Sequence, residues 1–131
     1  MNTSLTLETL EVFKLAKELS STGWKIYQII DWRKSKNTKD QFLDSTDSVG
    51  ANVSEGYGRF HYLDRIKFLY NARGSLYESK YWFDLLNERS LISNDTLKKE
   101  YLQIYDGLKP KLNNFINSLY KNKDLHLTHN S

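Results

Sequence analysis

Residues 49–59 read VGANVSEGYGR and residues 72–78 read ARGSLYE, and these two stretches are the most informative part of the chain. Both lie inside apolar patterns of helical spacing, yet both are rich in glycine, small polar residues and charge. Glycine lowers helix propensity, and a buried charge costs desolvation energy. Such residues at these positions indicate close helix packing or a polar network between helices. We refer to residues 49–78 as the polar seam.

Apolar residues recur at helical spacing on both sides of the seam, and the chain contains one proline. This periodicity predicts an all-α protein. Short links between long helices favour antiparallel neighbours, so we expect an up-down antiparallel four-helix bundle. It forms a single domain, residues 1–121, followed by a flexible polar tail at 122–131. The predicted helices span about 7–32, 38–57, 61–88 and 94–121.

Local signals place the ends of these helices. Residues 34–37 are polar and predict a loop, and the following TKDQ, residues 38–41, has the form of a capping box that starts the second helix. Gly56 and Gly58 are expected to end that helix. Pro110 interrupts the fourth helix, but the apolar stripe keeps its phase across the proline, which predicts a kink rather than a boundary.

Composition narrows the class of protein. The 131 residues include no cysteine, which excludes a disulfide framework and thiolate catalysis. No apolar run approaches the length of a membrane span, and the first residues lack the basic segment of a signal peptide, so we expect a cytoplasmic protein. The net charge of +3 favours polyanions only weakly. Residues 37–58 carry four acids against Lys39, so a polyanion surface should avoid that segment.

The sequence offers no catalytic or metal-binding constellation. Histidine occurs only at His61, His126 and His129, and none follows a glutamate at the spacing of a di-metal bundle. No phosphate-binding loop is present, and no set of residues combines a nucleophile, a base and a group that orients the base. We therefore predict a protein without enzymatic activity, metal or cofactor.

The charged residues of the seam allow two interpretations. Arg73 lies on the inner stripe of the third helix and needs a carboxylate, for which Glu55 is the candidate across the loop. The first interpretation is a polar network that fixes the register between the second and third helices. Its members are Glu55, Arg73, Glu78, Ser75 and Asn52. In the second, Arg59, Arg65 and Lys67, together with Arg73, face the phosphates of a nucleic acid. The seam glycines Gly50, Gly56, Gly58 and Gly74 let a neighbouring helix approach or end a turn.

Residues 52–59 and 68–78 resemble the signature of the 23S ribosomal RNA intervening-sequence protein family, and residues 10–16 resemble the start of its first helix. The resemblance extends to about residue 120. It implies a four-helix bundle without enzymatic activity that assembles as a ring, commonly a homopentamer. A related branch contains accessory proteins of diversity-generating retroelements, which are basic pentamers that bind nucleic acid and associate with a reverse transcriptase.

The chain departs from the family pattern on the second helix. Relatives often carry a basic pair where this chain has Asp44 and Asp47, which weakens an RNA-binding surface there. The usual proline before the small-residue run is replaced by Gly50-Ala51. Our leading hypothesis is a self-assembling scaffold that binds RNA or DNA or a nucleic-acid enzyme. The alternative is a structural or protein–protein interaction module with no nucleic-acid binding.

Overall fold

A computed structural model describes residues 3–59 and 61–130, with side chains over residues 9–59 and 61–121. These residues form four helices: α1 (Thr3–Ile29), α2 (Trp32–Gly58), α3 (Tyr62–Glu88) and α4 (Asp95–Asn130). Each helix packs against the next, and α4 returns to α1. The predicted all-α up-down antiparallel four-helix bundle is confirmed. Within the described residues, no helix has both the length and the apolar character needed to cross a membrane.

The core is formed by one apolar stripe from each helix, and its centre is aromatic. Phe42, Phe83 and Tyr101 come from α2, α3 and α4 and are fully buried. The rings of Phe83 and Tyr101 stack with centroids 4.9 Å apart, and Phe42 lies 5.2 Å from Tyr101. Aromatic pairs at these separations add to the free energy gained by burying their area. This cluster joins three of the four helices.

The junction between α1 and α2 differs from the prediction. α2 begins at Trp32 rather than at about residue 38, because Asp31 accepts a hydrogen bond from the backbone N–H of Arg33 at 3.0 Å and caps the helix. The predicted break remains as a kink at Ser35, with φ −161° and ψ 46°. Thr38, the predicted cap, lies inside α2, and its hydroxyl accepts a hydrogen bond from Arg89 Nη1 at 3.1 Å.

α1 ends at Ile29 rather than at about residue 32, and Lys39 of α2 lies against this end. Its side chain is buried, and its ammonium lies 3.5 Å from the carbonyl oxygen of Ile30 and 4.3 Å from the ring centroid of Tyr27. A cation beside the last carbonyls stabilises a helix C-terminus. Tyr27 in turn donates a hydrogen bond to Asp40 Oδ1 at 2.7 Å, which raises the pKa of the phenol.

The turn after α3 begins where it was predicted. Ser90 is in the left-handed region with φ 58°. Its N–H donates to Asn87 O, and the N–H of Leu91 donates to Leu86 O at 2.9 Å. This pair of bonds is the Schellman motif, which satisfies the last carbonyls of α3.

α4 is longer than predicted. Pro110 lies inside it, with Leu108 and Leu112 both fully buried on either side, as the unbroken stripe required. The helical backbone continues through residues 122–130, the segment predicted to be a polar tail. That segment contains neither glycine nor proline, so local propensity does not stop the helix. The side chains of 122–131 lie outside the described residues, and the flexibility of the tail stays a prediction.

Candidate functional site

A polar network links α2 and α3 through two residues of the seam and Ser48, which directly precedes it. Asn52 Nδ2 donates to the carbonyl oxygen of Ser48 at 2.9 Å and to its hydroxyl at 3.0 Å. Ser75 Oγ donates to the same hydroxyl at 3.1 Å. The predicted members Asn52 and Ser75 therefore meet at Ser48, which sequence reasoning missed. The sequence signal that points to Ser48 is its position one helical turn before Asn52, on the face of α2 toward α3.

The predicted buried pair between Glu55 and Arg73 is wrong. Glu55 pairs with Arg59 at 3.1 Å, and the two side chains are 58% and 47% exposed. Arg73 donates to Asn113 Oδ1 of α4 at 3.2 Å and lies 4.9 Å from the ring centroid of Tyr70. Ser75 faces α2, and a residue two positions away on a helix faces another direction, so Arg73 turns toward α4.

Glu78 was also assigned to the network, and the structure places it elsewhere. The residue is exposed on α3. The observed network therefore consists of small polar side chains, whereas the charged residues of the seam lie toward solvent or toward α4. Neutral hydrogen-bonding groups fix the register between α2 and α3 without the desolvation cost of a buried ion pair.

The seam glycines have different roles. A Cβ atom at Gly56 would lie 3.2 Å from the Cβ of Phe68 and 3.3 Å from the carbonyl oxygen of Arg65, so this glycine allows α2 and α3 to approach closely. Gly74, by contrast, has nothing within 4 Å of such an atom. Gly23, outside the seam, performs the same task between α1 and α2, where its Cβ would lie 3.0 Å from Thr46 Cγ2.

The predicted phosphate-binding residues lie at the turn from α2 to α3. Arg65 Nε donates to the carbonyl oxygen of Arg59 at 2.6 Å, which ties the two arginines together. The guanidinium of Arg59, already paired with Glu55, lies 4.8 Å from the ring centroid of Phe68. Lys67 is exposed. The guanidinium groups of Arg59 and Arg65 are therefore already engaged in contacts within the protein.

Grooves lie on both sides of α1. On the side of α2, a groove near the end of that helix has a volume of about 230 Å³ and apolar walls that include Leu10, Phe13, Val53 and Tyr57. A further groove on this side, about 420 Å³, is lined by α1 and by the part of α2 around Gly50. The groove toward α4 is larger, about 720 Å³, and its lining mixes charges of both signs. The charged residues that line the α4-side groove are Lys14, Lys17, Lys25, Glu18 and Glu100.

The end of the bundle where α1 leads into α2 presents aromatic and basic side chains together. Trp32 is 60% exposed, and the guanidinium of Arg33 lies 5.1 Å from its ring centroid. Trp24 is 49% exposed and stacks on Tyr27 with centroids 5.6 Å apart. Sequence reasoning missed this surface because residues 34–37 were interpreted as a loop. The sequence signal for this surface is Trp32 followed directly by the basic residues Arg33 and Lys34.

Metal-ligating side chains do not cluster in the part of the chain that the structure describes: no group of three histidine, aspartate or glutamate residues could hold an ion there. The side chains of His126 and His129 lie outside those residues. His61 lies directly before the first residue of α3 and is exposed.

Comparison with known proteins places the chain in a family. A protein of unknown function from the S23 ribosomal protein family of Bacteroides thetaiotaomicron VPI-5482 shares the fold, with a TM-score of 0.75 and 22% identity over 84% of this chain and 98% of its own. No curated protein matches. The model of the family described as 23S rRNA-intervening sequence protein matches residues 8–114. Because this match spans most of the bundle, the chain belongs to the 23S rRNA-intervening sequence protein family.

Proposed function

We propose that this protein is a cytoplasmic, non-enzymatic scaffold that assembles with copies of itself into a ring, a homopentamer, and associates with nucleic acid. Family membership is the observation that carries the proposal, since the match over residues 8–114 includes the whole seam and reaches into all four helices. The exposed surfaces of the bundle supply the physical support, because they offer apolar area for assembly and basic groups for a polyanion.

The apolar groove between α1 and α2 supports assembly. Leu10 and Tyr57, which line it, are exposed on a single copy, and Leu63 protrudes from the first turn of α3 at the same end of the bundle. Contiguous exposed apolar surface is typical of an interaction site. A contact between two different surfaces of neighbouring copies is head-to-tail, and it closes into a ring when the rotation permits. We propose that Leu63 of one copy packs into this groove on the next.

Light scattering on variants of the groove tests assembly. Leu10→Asp and Tyr57→Asp would each bury a charge in the contact, and we expect them to shift the purified protein from the ring toward the monomer. Tyr81→Asp is the matched control, because Tyr81 is an equally exposed aromatic on α3, away from the groove. A monomeric wild-type protein would contradict the ring.

A salt titration of RNA and DNA binding tests the second part of the proposal. Phosphate contacts release counterions, so affinity should fall steeply as salt increases. Absence of binding at low salt would remove nucleic acid from the proposed function.

The alternative function is a module that recruits another protein. The observation in its favour is the acidic face of α2, where Asp44 and Asp47 are exposed. Co-purification from cells with and without nuclease separates the two functions. Partners lost after nuclease treatment support the nucleic-acid scaffold, whereas partners retained support the protein module.

A further inference from the structure

We propose that single-stranded nucleic acid binds at the end of the bundle where α1 leads into α2, with one base stacked on Trp32 and the backbone phosphates near Arg33, Lys34 and Lys36. We call residues 32–36 together with Trp24 the α1–α2 corner. The inference rests on the proposed association with nucleic acid and assigns it a site. This site lies at the opposite end of the bundle from Arg59, Arg65 and Lys67.

The aromatic side chains of the corner are the first evidence. Trp32 exposes 60% of its surface, although burial of an indole would contribute substantially to stability. The guanidinium of Arg33 lies over one face of this ring, 5.1 Å from its centroid, and the indole nevertheless stays largely exposed. Trp24 is likewise held by stacking, on Tyr27, and remains half exposed. Rings that are oriented and open to solvent are the platforms on which proteins stack unpaired bases.

The charge of the corner is the second evidence. Residues 31–39 contain four basic side chains and one acid, Asp31. Asp31 caps α2, and Lys39 is buried against the end of α1, which leaves Arg33, Lys34 and Lys36 exposed. Within residues 9–59 and 61–121, none of these three cations forms an ion pair. They remain available for phosphates.

The predicted basic cluster at the other end of the bundle is less suited to this role. Arg59 is paired with Glu55, and Arg65 is hydrogen-bonded to the backbone of Arg59, whereas the cations of the corner form no ion pair within the described residues. A phosphate that bound at Arg59 and Arg65 would first have to compete with these contacts.

The combination of rings and cations selects the single strand. Bases in a duplex stack on one another and offer no free face, whereas an unpaired base can stack on an indole. A purely electrostatic patch would bind duplex and single strand without this preference. The corner should therefore prefer single-stranded RNA or DNA, with little dependence on sequence, because every base has a π face.

Binding of a fluorescent 12-nucleotide oligouridylate, followed by anisotropy at low salt, tests the assignment. We expect Trp32→Ala to weaken binding roughly 5- to 150-fold, the range for loss of one stacked base. Trp32→Phe should keep most of the affinity, because a ring remains. Tyr81→Ala is the matched control, since Tyr81 is 57% exposed and lies outside the corner, and its affinity should equal that of the wild type.

The salt dependence tests the phosphate contacts. Lys34→Ala and Lys36→Ala should each reduce the slope of log affinity against log salt by about 0.7, the value for one phosphate on a single strand. An unlabelled duplex of mixed sequence should compete less well than a single strand of the same sequence. An unchanged affinity in Trp32→Ala, with loss in the combined Arg59→Ala, Arg65→Ala and Lys67→Ala variant, would overturn the corner while leaving the proposed function standing.

Two further outcomes separate the inference from the function on which it rests. If the wild type binds no oligonucleotide at low salt, both are overturned. If Trp32→Ala changes the mass measured by light scattering and binds the oligonucleotide as the wild type does, the corner is a contact between copies of the chain and the inference is overturned.

Discussion

The hydroxyl groups of Thr46 and Tyr101 lie 2.9 Å apart in the core, where they join α2 to α4 across the bundle. Both residues are fully buried, and Tyr101 is stacked on Phe83. Burial raises the pKa of Tyr101 to about 12, although hydrogen bonds from Ser79 and Thr46 counteract part of the rise. A polar pair at the centre of an apolar core favours one alignment of the helices over its neighbours, because a shift would break the hydrogen bond between Thr46 and Tyr101 away from water.

The raised pKa makes stability depend on alkaline pH. Below pH 10 the phenol is neutral in both states, and its burial stabilises the fold in full. Between pH 10 and about 12 the unfolded chain ionises while the folded protein does not, so the free energy of unfolding should fall. Each pKa unit of difference corresponds to about 1.4 kcal/mol. Urea denaturation at pH 8, 10 and 11 measures the fall.

Tyr101→Phe isolates this contribution from other groups that titrate at high pH. We expect the variant to lose about 1–3 kcal/mol at pH 8, because Thr46 Oγ1 is left without its partner. Its stability should then decrease less than that of the wild type as the pH rises. Parallel curves for the two proteins would contradict the assignment.

Substitution by alanine should have opposite effects on stability at Gly56 and at Gly74. Gly56→Ala would place a methyl group 3.2 Å from the Cβ of Phe68 and 3.3 Å from a backbone oxygen, so the two helices must separate. We expect a loss of about 1–3 kcal/mol, as for other overpacked sites. Gly74→Ala meets nothing within 4 Å and should gain about 1 kcal/mol from helix propensity. Thermal denaturation of both variants checks the pair, and equal effects would contradict the packing argument.

The bundle was predictable from sequence because apolar periodicity reports which face of each helix is buried. The stripe that includes Leu108 and Leu112 was recognised across Pro110 and is buried as expected. The bounds of α2 were not predictable in the same way. A cap at Asp31 extends the helix back to Trp32, and the buried Lys39 reaches the end of α1 across a turn. Such contacts join residues of different elements and leave no periodic signal.

The site was predicted less well than the fold. Asn52 and Ser75 were both assigned to the network between α2 and α3, and they do meet through Ser48. Arg73 was paired with Glu55 because a guanidinium on the inner stripe needs a partner and Glu55 is the carboxylate across the loop. A long side chain can instead reach another neighbour, and Arg73 contacts Asn113 of α4.

Double-mutant cycles on Arg73 test this correction. The cycle of Arg73→Ala with Asn113→Ala should give a coupling free energy of about 0.5–1.5 kcal/mol, as expected for one hydrogen bond. The cycle of Arg73→Ala with Glu55→Ala should give a coupling near zero. Glu55→Ala alone should change stability by less than about 1 kcal/mol, because its pair with Arg59 is exposed. A loss of about 3–5 kcal/mol would instead indicate a buried pair.

Ser90→Gly should stabilise the protein. Ser90 occupies the left-handed position of the Schellman motif with φ 58°, a conformation that is unfavourable for a residue with a Cβ atom. Glycine removes that strain and keeps both backbone hydrogen bonds of the turn, though it also loosens the unfolded chain. We expect a net gain of about 0.5–1 kcal/mol, measured by urea denaturation. Ser93→Gly, in the same connection but without a positive φ, is the control and should give no gain. A loss of stability in Ser90→Gly would show that the serine side chain contributes more than the backbone strain costs.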